Sequence, residues 1–184
     1  EMKVVVTGGS GKAGRATVRD LLDHGHDVVN ADRVEPPEPL APLQRVDLTD
    51  PRETIDALRG ADAVVHLAAI PTPRGQFDEP TFRNNMMSTY NIFGAAVELG
   101  LQRIVWASSE TVLGLPFDRV RPPYAPLDEE WPPHPETGYA LAKMACEAIA
   151  EQFARWSGIP IVGLRFSNIM TPERYETFPT FWGD

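Results

Sequence analysis

The stretch Thr7-Gly8-Gly9-Ser10-Gly11-Lys12-Ala13-Gly14 decides how this chain reads. It follows a β-branched run, Lys3–Thr7, and opens a segment of helical spacing, Arg15–His24, with Val18, Leu21 and Leu22 on one face. Gly8, Gly11 and Gly14 recur at every third position. Each missing Cβ has a use at a strand–turn–helix junction: a tight turn, close approach of backbone to a pyrophosphate, or close packing of helix on sheet. The helix N-terminus then aims its free N–H groups and partial positive charge at phosphate oxygens, with Ser10, Lys12 and Ala13 completing the turn. Glycines also make ordinary βα turns, so the surroundings have to decide. Asp32 ends a second strand pattern 18 residues after Gly14, where an acid would accept hydrogen bonds from an adenosine ribose. A Walker A loop would need glycine at Val6 and Ser or Thr at Ala13, and a nucleophile elbow would need glycine at Lys12. The stretch therefore reads as a dinucleotide-binding turn.

Outward from it, strand and helix patterns alternate. Asp27–Ala31 is the second strand and Gln44–Val46 a short third. Pro51–Arg59 is a helix announced by Asp50 and a first-turn proline. Asp62–Ala68 is an apolar fourth strand, Phe82–Leu99 a long helix and Arg103–Ala107 a fifth strand. Tyr139–Trp156 is a helix and Ile161–Phe166 a sixth strand. Apolar strands separated by helices predict an α/β fold of the doubly wound, Rossmann type: a parallel sheet in the order 3-2-1-4-5-6 with helices on both faces. Two proline-rich segments interrupt the rhythm. Val34–Pro42 reads as a surface loop. Leu115–Pro135, too long for a plain connector, reads as part of the rim of a site.

The 184 residues carry 26 acids against 17 bases, a net charge of −9, which disfavours nucleic acid and anionic membrane as partners. One cysteine, Cys146, leaves no intramolecular disulfide framework and fits a reducing compartment. No stretch approaches the ~20 apolar residues of a membrane span, and the chain is expected to enter its first strand pattern without a signal peptide. A cytoplasmic location is the expectation. Glu1 ahead of Met2 reads as an expression remnant.

Tyr139 and Lys143 lie four apart, on one face of a helix. A phenol with pKa near 10 is a poor base at neutral pH, and lowering it to about 7 takes roughly 4 kcal/mol of phenolate stabilisation. A neighbouring ammonium and a cationic cofactor ring in a partly dry cleft are able to supply it. His66 reads as a packed strand residue and not a ligand. His24 and His26 read as solvated around Gly25, Cys146 as helix packing, and the pairs Leu21/Leu22 and Ile149/Phe153 as core. No metal site is expected.

Taken together, Gly8/Gly11/Gly14, Asp32, Asp47-Leu48, His66-Leu67-Ala68-Ala69, Asn85, Ser108 to Gly114 and Tyr139…Lys143 resemble the extended short-chain dehydrogenase/reductases. These are the NAD-dependent epimerase/dehydratase proteins acting mainly on sugars and nucleotide sugars, and the resemblance runs in order from Lys3 to about Asn168. It implies that Tyr139 is the catalytic acid/base, that Lys143 lowers its pKa and holds the nicotinamide ribose, and that Ser109 hydrogen-bonds the reacting oxygen. Asn85 would support the lysine through its helix. Asp47 and Leu48 would sit at the adenine, while Leu67, Ala68, Ala69 and Ala107 would line the cofactor. Glu110 and Asn168 would face substrate. A homodimer is expected.

NAD is expected in preference to NADP, because at ~4 Å and an effective dielectric near 20 a carboxylate at Asp32 repels a 2′-phosphate by roughly 4 kcal/mol per unit charge. Arg33 and Lys12 temper that repulsion.

The chain also departs from the family. Leu113 stands where tyrosine is usual, and Glu110-Thr111 where dehydratases carry Asp-Glu. Thr171 to Trp182 looks like uronate dehydrogenases, which carry Asn-His at Glu110-Thr111. Residues 1–170 are expected to form the NAD-binding domain with its Ser/Tyr/Lys set, and 171–184 the start of a substrate lobe that is otherwise absent. The expected activity is NAD-dependent oxidation or epimerisation at a hydroxyl of a sugar or nucleotide sugar. A uronate-type sugar dehydrogenase and a non-catalytic NAD-binding sensor or scaffold are the alternatives.

Overall fold

The computed structural model describes residues 1–71 and 78–175. Six strands form one parallel sheet in the order β3-β2-β1-β4-β5-β6: β1 (Lys3–Thr7), β2 (Asp27–Asp32), β3 (Leu43–Arg45), β4 (Ala63–His66), β5 (Arg103–Ser109) and β6 (Ile161–Phe166). This is the predicted sheet and order. The main helices are α1 (Lys12–Asp23), α2 (Pro51–Leu58), α3 (Glu79–Glu98) and α4 (Gly138–Ser157), with a 3-10 turn at Glu110–Leu113 and a short α5 at Pro172–Tyr175.

Local chemistry sets the helix starts. The Asp50 carboxylate accepts from the N–H groups of Arg52 and Glu53 at 2.8 and 3.1 Å, and Pro51 follows it. Asp78 caps α3 through Thr81 N–H at 3.1 Å, which places the helix start three residues ahead of the predicted Phe82. Thr137 caps α4 through Ala140 N–H at 3.1 Å, and Gly158 ends it at φ 73.

The larger core lies between the sheet and α2, α3 and α4, around Phe93, Trp106, Ile104 and Leu58. A smaller one, with Val4, Val6, Val18 and Val28, lies under α1 on the other face. Two expectations about α1 need correction. Leu22 is 37 % exposed. Gly14, Val18 and Leu21 form the inward line, and Leu22 stands about 100° round the helix from Leu21. His26 is half-buried and not solvated, because its N–H bonds back to Leu21 C=O at 3.0 Å and folds it over the helix end. On the α1 side of β6, Val162 and Leu164 are exposed. Among the described residues no helix is long and apolar enough to cross a membrane.

Candidate active site

Parallel strands bring all their carboxyl ends to one edge, and a cavity of about 950 Å³ opens there. Its floor begins at the glycine turn. Gly8 has φ +71, and a Cβ on it would stand 2.7 Å from Ala68 N. A Cβ on Gly14 would stand 2.0 Å from the Gly8 carbonyl oxygen, so helix and turn are in direct backbone contact. α1 starts from Gly11 with no side-chain cap. Its first N–H groups therefore have no partner from a capping side chain, and Gly11 to Gly14 line the cavity, an end whose free donors suit an anion.

The turn is held from below. Asn30, buried on β2, donates to Ser10 Oγ at 3.0 Å, and Ser10 Oγ donates to Val34 C=O at 2.7 Å. Asp32 accepts Ser10 N–H at 3.1 Å, Arg33 N–H at 2.7 Å and Val34 N–H at 3.2 Å. His66 is buried between Thr7 Oγ1 at 2.7 Å and Thr89 Oγ1 at 3.1 Å, and burial lowers its pKa to about 3, so it is a neutral bridge from the turn to α3.

At the other end stand Ser109, Tyr139 and Lys143. Lys143 is 3 % exposed, donates to Ala107 C=O at 2.6 Å and lies 5.9 Å from the centroid of the Tyr139 ring. Burial brings its pKa down to about 8. Burial pushes the Tyr139 phenol above its ordinary value, and a hydrogen bond with the Ser109 hydroxyl pulls the other way. The protein by itself therefore keeps Tyr139 neutral. Ser109 Oγ also accepts Thr111 N–H at 3.2 Å and the Thr111 hydroxyl at 2.9 Å.

Behind this group, Glu147 accepts the Ser108 hydroxyl at 2.6 Å and takes both ends of the Arg165 guanidinium at 2.9 Å. That clamp ties α4, one turn beyond Lys143, to the ends of β5 and β6. No group of His, Cys, Asp and Glu suited to a metal ion occurs among the described residues.

Nearly all the residues singled out from the sequence line this one cavity: Gly8 to Gly14 except Gly9, Asp32, Leu48, Leu67 to Ala69, Ala107, Ser109, Glu110, Tyr139, Lys143 and Asn168. Two do not. Asp47 turns its carboxylate to Arg33 and Thr49. Asn85, 1 % exposed, stands behind the wall and clamps Ile70, accepting its N–H at 2.8 Å and donating to its C=O at 3.0 Å. Towards the lysine's helix, its C=O lies 4.0 Å from Cys146 Sγ.

Sequence reasoning missed Asn84, Ser88, Glu136 and Thr137 as lining residues. Asn84 and Ser88 were legible as a polar i, i+4 pair beside Asn85, and Thr137 as the cap of the helix that carries Tyr139. From the long proline-rich segment, Leu115 and Pro116 reach the cavity, while Trp131 is buried against Leu113 C=O at 2.9 Å.

The sequence profile of the NAD dependent epimerase/dehydratase family matches residues 4–181. The chain belongs to that family. Its six-stranded parallel sheet is the Rossmann-type sheet expected of that family. L-arabinose 1-dehydrogenase (NAD(P)(+)) of Haloferax volcanii is 32 % identical over 185 residues, 93 % of this chain and 68 % of the relative. Among solved structures, a UDP-galactose 4-epimerase superposes with a TM-score of 0.82 at 32 % identity, over 93 % of this chain and 58 % of its own. A mutated uronate dehydrogenase superposes with a TM-score of 0.75 at 27 % identity, over 87 % and 56 %. The chain thus spans little more than half the length of the family members whose structures it matches. The likeness to uronate dehydrogenases read at Thr171 to Trp182 falls for residues 176–182 outside the described residues.

Proposed function

We propose that this family member is a NAD-dependent oxidoreductase or epimerase acting on a hydroxyl of a sugar or nucleotide sugar, with Tyr139 as acid/base. The observation that carries this reading is the continuity of one cavity from the glycine turn and Asp32 to Ser109, Tyr139 and Lys143. The dinucleotide fits the turn, since its backbone is bare where a Cβ on Gly8 or Gly14 would collide. Gly11, Lys12 and Ala13 would hold the pyrophosphate, Asp32 the adenosine ribose and Lys143 the nicotinamide ribose. When bound, the nicotinamide supplies the hydride acceptor, and whether the hydride returns to the sugar or leaves with the cofactor separates an epimerase from a dehydrogenase.

The chain's own residues handle the proton. Ser109 Oγ orients the substrate hydroxyl, and Tyr139 Oη takes its proton. Because burial keeps the free phenol above its ordinary pKa, the base forms only once positive charge enters the cleft beside it. Lys143 contributes a fixed ammonium, pinned by Ala107 C=O. Glu110 and Asn168 would contact the sugar.

A dehydrogenase of free sugars is the second reading. The relative at 32 % identity that oxidises L-arabinose favours it. The absorbance spectrum of the purified protein separates the two: NAD that co-purifies and does not exchange is expected for an epimerase, and an empty site filled by added NAD for a dehydrogenase. A protein that binds NAD but turns over no sugar hydroxyl, with Tyr139→Phe indistinguishable from the parent, would be the non-catalytic sensor.

The expected homodimer belongs to the same proposal. It is supported by Tyr90 and Trp156, both edge-on to Phe153 and exposed on α3 and α4, with Met87 exposed one turn before Tyr90. Sedimentation of Trp156→Glu against the parent tests it. The cytoplasmic placement rests on the lone buried Cys146.

A further inference from the structure

We propose that Asp47 sets the preference for NAD over NADP by holding the Arg33 guanidinium away from the ribose corner beside Asp32. This rests on the dinucleotide reading of the cavity. It goes beyond that reading by giving Asp47 a part that depends on a second side chain.

Asp32 is a fixed negative charge. Its Oδ2 takes Ser10 N–H and its Oδ1 takes the N–H groups of Arg33 and Val34, so the carboxylate cannot swing aside to admit a phosphate. Arg33, the next residue, lines the cavity, as does Lys12, and is a cation able to offset that charge. Its guanidinium points elsewhere, hydrogen-bonded to Asp47 Oδ1. Asp47 is itself anchored. The same oxygen accepts Thr49 N–H at 2.9 Å and the Thr49 hydroxyl at 2.6 Å, and the Asp47 N–H donates to Glu53 at 2.7 Å. Arg33 is thus drawn to a carboxylate that does not follow it back. Two neighbouring cations are engaged in the same way, Arg45 with Glu35 at 2.7 Å and Arg19 with Glu38 at 3.1 Å.

The Arg33–Asp47 pair is 53 % and 46 % exposed. Such pairs are weak. A single charge change therefore suffices to release Arg33, and a released guanidinium is a strong, bidentate partner for a phosphate. A 2′-hydroxyl gains nothing comparable. NAD affinity depends little on where Arg33 points, and NADP affinity depends on it strongly.

Calorimetric titration of NAD and NADP into the parent, Asp47→Asn, Arg33→Ala and the double variant tests this. Because both dinucleotides carry the same adenine, any loss of adenine contacts cancels in their ratio. The affinity ratio of NADP to NAD is expected to rise about two- to five-fold in Asp47→Asn, the scale of the exposed ion pair that no longer has to be broken. In the double variant it is expected to stay at the Arg33→Ala value. Thr49→Val, which loosens the anchor and keeps the charge, is expected to shift the ratio in the same direction by a smaller factor. An unchanged ratio in Asp47→Asn overturns the inference. So does an equal rise in the Arg33→Ala background, which would trace the effect to the lost Asp47 charge alone. A parent protein that binds neither dinucleotide overturns the reading of the cavity itself.

Discussion

The two ends of the cavity are built by opposite means. At the adenosine end the working surface is backbone: bare glycines, a helix start and N–H groups, gathered from Thr7 to Val34 and bonded mostly to one another. At the reacting end it is side chain. Ser109 comes from β5 and Tyr139 and Lys143 from α4, and the lysine is buried against a single carbonyl oxygen. The first end is intolerant of added atoms. The second is intolerant of changed charge, and its buried ammonium works against the stability of the fold.

The largest effect should come from adding one atom at the first end. Gly14→Ala places a Cβ 2.0 Å from the Gly8 carbonyl oxygen, and a cost above about 4 kcal/mol, or failure to fold, is expected in chemical denaturation. A soluble variant of parental stability would mean that the turn yields and that its glycines are not what shapes the site.

Tyr139→Phe removes one oxygen at the other end. Turnover should fall by about 10²–10⁴-fold, with NAD affinity in calorimetry held near the parental value. A parallel loss of NAD affinity would erase the distinction between the two ends.

Lys143→Met is expected to stabilise the protein at pH 7. The ammonium titrates near 8 in the fold against 10.5 for an ordinary lysine, so burying it charged costs roughly 3 kcal/mol. Between those values the unfolded chain holds the proton that the folded chain has released, so parental stability gains as pH rises through this window. The advantage of Lys143→Met should therefore be full below pH 8 and shrink towards pH 10.5. Denaturation at several pH values, read as the difference between the two proteins, isolates this group from Tyr139 and Cys146, and a pH-independent difference would argue against a buried charge.

The smallest effect serves as the control for the first. Gly94 lies inside α3, and a Cβ added there would meet nothing within 4 Å. Gly94→Ala should stabilise by about 0.5–1 kcal/mol through helix propensity alone. Two helical glycines, one in a first turn and one in an interior, should thus respond with opposite sign, because of the two only Gly14 touches backbone outside its helix.

The sequence alone determined whatever depends on order along the chain. The β-branched run into Gly8, the three-residue glycine spacing and the return of strand patterns after each helix made the parallel Rossmann-type sheet legible, because connection rules leave few topologies for such a pattern. Helix ends were harder. Capped by Asp78, α3 starts at Glu79, three residues before the apolar spacing does, since a cap works through backbone N–H groups that the spacing does not register. Tyr139 and Lys143 were legible as a pair through their i, i+4 spacing.

Three outcomes belonged to the tertiary structure. It turned Asp47 away from the cavity towards Arg33. It put Asn85 to work on the Ile70 backbone behind the wall. It left the Tyr139 phenol above its ordinary pKa with the lysine alone beside it. Each depends on which groups from distant segments compete for the same few hydrogen bonds and how far water is excluded from them, and neither quantity is written in the spacing of residues along a chain.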